Sequence, residues 1–246
     1  MNPRTRLVLV AVGGVLLSAI LFVVITKAFG WWEGFLKFME EGDITMWFTL
    51  ASGVVGLGIT FERTYALYFL YSTHEEGLFQ KVRNALTKGD TKSALDACQN
   101  KPHSALGRLY SVALRNADKS EEIIQDAVDE AGLAVLPPIE ARITYLGMIA
   151  NVATLLGLLG TIIGLIKAFS GLGFVDPSQK QFLLAHGIAI AMHNTALGLL
   201  VAIPHLVFQA VLHGRATALL ERIDEYTVKL INLLAALQEK RRAGAA

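Results

Sequence analysis

An all-α polytopic membrane helical bundle, whose long helices extend into a cytoplasmic helical domain, is predicted by three features of this 246-residue chain. Hydrophobic residues make up 53% of it and charged residues only 17%, against roughly a quarter charged in soluble domains. The apolar excess is gathered into four blocks, 7–29, 44–61, 143–169 and 182–213, each able to cross about 30 Å of hydrocarbon as a helix. Between the second and third blocks lies a polar stretch of ordinary globular composition. That contrast within one chain indicates spans plus a water-facing domain, not a single greasy core.

The first block follows Arg4 and Arg6 and so shares the layout of a secretory signal. Its apolar run is longer than a signal core, and Thr26-Lys27-Ala28-Phe29-Gly30 lacks a small-x-small cleavage site, so a retained helix is expected. Residues 1–43 then form an N-terminal membrane helix with a periplasmic interfacial segment. Trp31, Trp32, Phe35 and Phe38 make an aromatic patch there, suited to the headgroup zone of the lipid bilayer.

The second block opens a span over 44–72. Charge asymmetry orients it: Arg4 and Arg6 lie inside, Glu33, Glu40, Glu41 and Asp43 outside, and Arg63, Lys81 and Arg83 inside again. Arg142 then marks the inner start of the third span, and Arg215, Arg222, Arg241 and Arg242 hold the C-terminal region inside. Lys27 and Lys167 dissent, but both termini are expected in the cytoplasm.

Residues 73–142 read as a cytoplasmic helical domain. Leu78, Val82, Ala85 and Leu86 keep helical spacing, as do Ala94, Leu95, Ala97 and Cys98, with Lys88-Gly89-Asp90 as the turn between them. A third helix covers Ser104–Asn116. A fourth starts at Ser120, whose hydroxyl is placed to cap it, and Pro137-Pro138 interrupts the chain before the next span. Asp126, Asp129 and Glu130 fit a solvated helix face better than an acid/base pair. The lone Cys98 excludes a disulfide framework and a cysteine metal site within one chain, and reads as a small buried residue. No phosphate loop, metal-ligand spacing or nucleophile with its base is present. No cofactor, no metal and no enzyme activity are therefore expected, and a net charge of +1 gives no sign of nucleic-acid binding.

The paired spans over 143–213 carry the functional signal; 214–246 is read as a cytoplasmic helix and tail. In the third span Asn151, Thr154 and Thr161 share one helical face. Gly157, Gly160 and Gly164 add small-xxx-small pairing that lets backbones approach in lipid. In the fourth, His193, Asn194 and Thr195 lie deep in the apolar run, where polar groups are costly unless they face protein or water. Thr195 aligns with Ala191, Gly198 and Ala202; His193 aligns with His186 and Ile190 on a face roughly opposite. Asn151, Thr154, Thr161 and Thr195 are thus the candidate pore lining, with His193 and Asn194 secondary. Pro204 is expected to kink the span or end its regular part.

Leu155-Leu-Gly-Leu-Leu-Gly-Thr161, with Gly164 and Phe169, and Thr195-Ala-Leu-Gly-Leu-Leu-Val-Ala-Ile-Pro204 resemble the MotA/TolQ/ExbB proton channel family, nearer its TolQ/ExbB branch. Phe61-Glu62-Arg63 matches that family's exit from its first conserved span. The resemblance covers roughly 44–240. It implies a stator subunit of a bacterial inner-membrane motor driven by proton-motive force, in a pentameric ring around a dimer of an ExbD/TolR-like single-span partner that carries the proton-binding aspartate. Threonines matching Thr161 and Thr195 would then form the channel wall. Two departures stand out. Many relatives carry a glutamate where this chain has Ile190, so either His193 replaces it or this branch does without it. The extra first span is the second departure. A non-conducting scaffold is the alternative reading.

Overall fold

The computed structural model describes residues 44–71, 75–99, 104–173 and 175–244, with 13 and 39 as isolated positions. The expected first span and the tryptophan patch lie outside the described residues, apart from Gly13. Every regular element among those described is helical. Helix α1 spans Ile44–Tyr65 and runs into a π-helical turn, Ala66–Leu70. Helices α2 (Glu75–Thr87), α3 (Thr91–Gln99), α4 (Ala105–Arg115), α5 (Glu121–Val135) and the single turn α6 (Pro137–Glu140) follow. Helices α7 (Ile143–Gly171) and α8 (Pro177–Gly244) complete the chain. Three stretches of helix are long and apolar enough to cross a membrane, carried by α1, α7 and α8. At 22 residues α1 is about 33 Å long, close to the thickness of a bilayer core.

The chain divides into two compact units. The membrane unit contains α1 up to Thr64, α7, and α8 as far as Val211. Its exposure is inside-out: Phe48, Val55, Leu155, Ile166, Leu200 and Ile203 stand open, while Thr45, Thr49, Ala150, Ala153, Ala191 and Ala202 are buried. That is the pattern for helices joined by close packing in lipid, where apolar side chains gain nothing by turning inward. Three α1 hydroxyls return to their own backbone, Thr49 to Thr45 O (2.8 Å), Thr60 to Gly56 O (2.9 Å) and Thr64 to Thr60 O (2.7 Å), so these need no water.

The second unit is a helical domain of residues 65–141 and 212–246. Val82, Ala94, Cys98, Leu106, Tyr110, Ile124 and Val128 close its core against Leu219, Ile223 and Leu230 of α8. Tyr110 Oη donates to Tyr226 O (2.9 Å), and Gln238 Nε2 donates to Lys119 O (2.7 Å). Burial pushes the Cys98 thiol up to about 11.

Several local expectations meet a specific outcome here. Gly89 takes φ +78° in the turn between α2 and α3, a conformation that suits glycine. Ser104 caps α4 through Gly107 N (3.0 Å). Ser120 stands at the N-cap of α5, yet its hydroxyl makes no cap bond, so the expected side-chain cap is corrected. Pro204 does not end the regular helix: α8 continues through it and onward to Gly244. The boundary drawn at 213 therefore falls inside one uninterrupted helix.

Candidate functional site

Glycine is what lets the three membrane helices meet. A Cβ at Gly157 would stand 3.2 Å from the Gly198 Cα, and one at Gly164 would stand 3.1 Å from the Ala191 Cβ. A Cβ at Gly160 would lie 2.5 Å from Asn194 Cγ and 2.7 Å from Thr45 Oγ1, both closer than real contacts permit. Gly157, Gly160, Gly164 and Gly198 thus lie at close approaches between α7 and α8, along the seam of that pair.

Asn194 sits at the junction of all three helices and is 2% exposed. Its Oδ1 accepts from Thr45 Oγ1 (3.2 Å) and its Nδ2 donates to Ile190 O (3.3 Å). A polar amide this deep costs several kcal/mol unless bonded, roughly 2–7 for an amide stripped of partners, and here both ends are bonded. It acts as a node that fixes helix positions.

The threonines lie elsewhere on the same pair. Thr195 Oγ1 reaches across the seam to Gly157 O (3.4 Å). Thr154 bonds to Ala150 O (3.0 Å) and Thr161 to Leu158 O (2.6 Å), each keeping a free oxygen lone pair at the surface. Helix α1 touches α8 through Asn194, Val201 and His205, whereas α7 touches it through Ala191, Asn194, Thr195 and Gly198. Stepping about 100° per residue, Thr195 occupies the flank of α8 turned away from α1. By the same steps Thr154 and Thr161 occupy the flank of α7 away from α1, and Asn151 lies further round, exposed. The structure thus gathers Thr154, Thr161 and Thr195 along one open edge of the α7–α8 seam. His193 is half-buried on the other flank of α8.

Three polar groups that sequence reasoning left aside or underused are also buried in this unit. Thr45 and Thr49 stand four apart and continue to Gly53, Gly56 and Thr60; that spacing was a readable signal of a packing face. His205, 3% exposed, bonds through Nδ1 to Val201 O (2.6 Å), and its ring occupies the notch left by Gly56. Glu62, 1% exposed, is paired with Arg63 (2.8 Å from Nε) and with Arg142 Nη1 (3.1 Å). Arg142 has φ 68°, the one non-glycine residue with positive φ among those described, and it occupies the N-cap of α7. No cluster of metal-ligating side chains occurs among the described residues.

Residues 99–225 match the family model of the MotA/TolQ/ExbB proton channel family, which is over half the chain and includes α7 and the first part of α8. The chain belongs to that family. Within it, similarity extends to a putative biopolymer transport protein ExbB homolog of Methanothermobacter thermautotrophicus, 25% identical over 190 residues (77% of this chain, 66% of that protein). Biopolymer transport protein exbB1 of Vibrio cholerae is 38% identical over 88 residues (36% and 38%). The Tol-Pal system protein TolQ of Haemophilus influenzae is 34% identical over 122 residues (47% and 53%). The chain thus spans from under two-fifths to just under two-thirds of the length of these relatives. As a family member with three span-length apolar helices, it is a multi-pass membrane protein.

Proposed function

We propose that this protein is the channel-wall subunit of an inner-membrane motor that couples proton-motive force to mechanical work on the cell envelope. The observation that carries this reading is the open edge where Thr154, Thr161 and Thr195 line up beside the α7–α8 seam, turned from α1. In a ring of copies, such an edge faces a lumen while the apolar side of α1 faces lipid. Hydroxyls can hold water or relay a proton by accepting one hydrogen bond and donating another, but they do not store the proton. No carboxylate lies among α7 or the 177–211 part of α8, so the acidic carrier belongs on another chain.

That requirement fits an ExbD/TolR-like single-span partner with a membrane aspartate, surrounded by a homo-oligomer, taken here as a pentamer. Both termini are taken to lie in the cytoplasm. Biopolymer transport, Tol-Pal-type envelope work and gliding motility are the tasks such a motor can serve. The seam has none of the charge of a proton-storing site and all of the hydroxyls of a conducting wall, which favours conduction over a passive scaffold.

The test is substitution without a change of shape. Thr161→Val and Thr195→Val each keep the branched side chain and remove the hydroxyl. Envelope output in cells carrying both should be lost while the complex is recovered intact on a native gel. Normal output from the double variant sinks the channel-wall reading, and loss of assembly instead of output supports the scaffold.

A further inference from the structure

The helical domain carries a groove of about 590 Å³ that the channel reading does not use. Leu109, Val128 and Leu133 supply apolar lining, and Asp129, Glu140 and Asp224 bring three carboxylates to it. Leu133 is 80% exposed. It belongs to a helix flanked by Glu121, Glu122, Asp126, Asp129, Glu130 and Glu140, a charge density that keeps this face in water. Leu133 thus carries the apolar lining of the groove out beside those carboxylates. Asp129 accepts from Gln125 Nε2 (2.9 Å), and no cation lies within ion-pair distance of the three carboxylates among the described residues. Burial, and then the Asp129 charge, hold Asp224 above the usual carboxylate range, so an incoming cation relieves a real repulsion.

The complementary surface is on the same chain. Helix α4 buries Leu106, Leu109, Tyr110, Ala113 and Leu114 and leaves Arg108 and Arg115 exposed on the opposite face, seven residues apart. Neither arginine is ion-paired among the described residues. They differ from Arg222, which is committed to Glu75 (3.6 Å). Depth matches as well. Arg108 adjoins Leu109, which lines the groove with Asp224, so cationic face and acidic groove stand at one level.

We infer that the groove receives the Arg108/Arg115 face of α4 from a second copy of this chain. The two patches are different surfaces, so the contact is head-to-tail, the kind that generates a ring when its rotation closes. Val112, half-buried between them on the same face, meets the apolar lining, and the arginines meet the carboxylates, a pairing that can be bidentate. This inference rests on the homo-oligomeric part of the reading above, and identifies surfaces by which copies would join.

Disulfide trapping between differently tagged copies tests it in native membranes. In a Cys98→Ser background, one copy carries Asp224→Cys and the other Arg108→Cys. Oxidation is expected to give a mixed-tag dimer roughly tenfold above a Lys92→Cys control pair, as complementary patches draw the surfaces together. Asp129→Arg with Asp224→Arg should lower ring recovery on a native gel, and adding Arg108→Glu with Arg115→Glu should restore it. Intact rings with no mixed-tag dimer, or no rescue by the combined reversal, overturn the proposed interface while the channel reading stands. Cross-linking of Asp224→Cys to a different, cationic protein also overturns it. A wild-type chain that runs only as a monomer overturns both this inference and the ring.

Discussion

Gly160 is the residue on which the membrane unit turns, because a methyl group there meets Asn194 and Thr45 together. Gly160→Ala is expected to cost about 1–3 kcal/mol through overpacking, read as a lower melting temperature by circular dichroism in detergent. Unchanged melting would mean that Asn194 is not held in the notch. Cys98 gives a second test at this scale. Burial raises its thiol from near 9 to about 11, so the fold accepts the protonated form. Its contribution to stability is complete below about pH 9 and is lost as pH climbs toward 11. A maleimide dye at pH 8 should therefore label the native protein slowly and the unfolded protein fast; rapid native labelling would contradict the burial. The glycines and the threonine stripe were legible because three- and four-residue spacings map onto one helix face without knowledge of neighbours. Asn194 was not, since only the approach of Thr45, 149 positions away, shows which of three consecutive polar residues is bonded at the centre.

At the scale of elements, the start of α7 is fixed by charge. Glu62 on α1 is buried between Arg63 and Arg142, and Arg142 holds a left-handed conformation at the helix N-cap. Glu62→Gln removes the buried charge that pairs with both Arg63 and Arg142 and should destabilise the protein by about 3–5 kcal/mol, measurable as a fall in the denaturant midpoint. Both Arg142→Gly and Arg142→Ala lose the ion pair, but only glycine accepts φ 68° freely, so the glycine variant should be more stable by about 1 kcal/mol. Equal stability of the two would show that the left-handed turn is not retained. The sequence motif Phe61-Glu62-Arg63 marked this place, yet not its partner, which is 80 positions on and invisible to local pattern. Pro204 is the opposite case: its usual effect is to break a helix, and α8 carries it within a continuous run because the surrounding packing outweighs one lost backbone bond.

At the scale of the molecule, composition and hydropathy were enough to predict an all-helical membrane protein, because spans are long and the penalty for unpaired backbone in lipid allows few architectures. The groove and its carboxylates were not legible, since α5 and α8 are far apart in sequence and Asp129 reads alone as one more solvated charge. The open threonine edge gains meaning only with a second chain to hold the proton. Co-reconstitution into liposomes with a single-span partner bearing a membrane aspartate, followed by dye-detected proton uptake under an imposed gradient, measures that dependence. Uptake is predicted with both chains, absent with this chain alone, and reduced to background by Thr161→Val with Thr195→Val while the complex stays whole. Uptake by this chain alone, or undiminished uptake by the double variant, would contradict a partner-dependent threonine path.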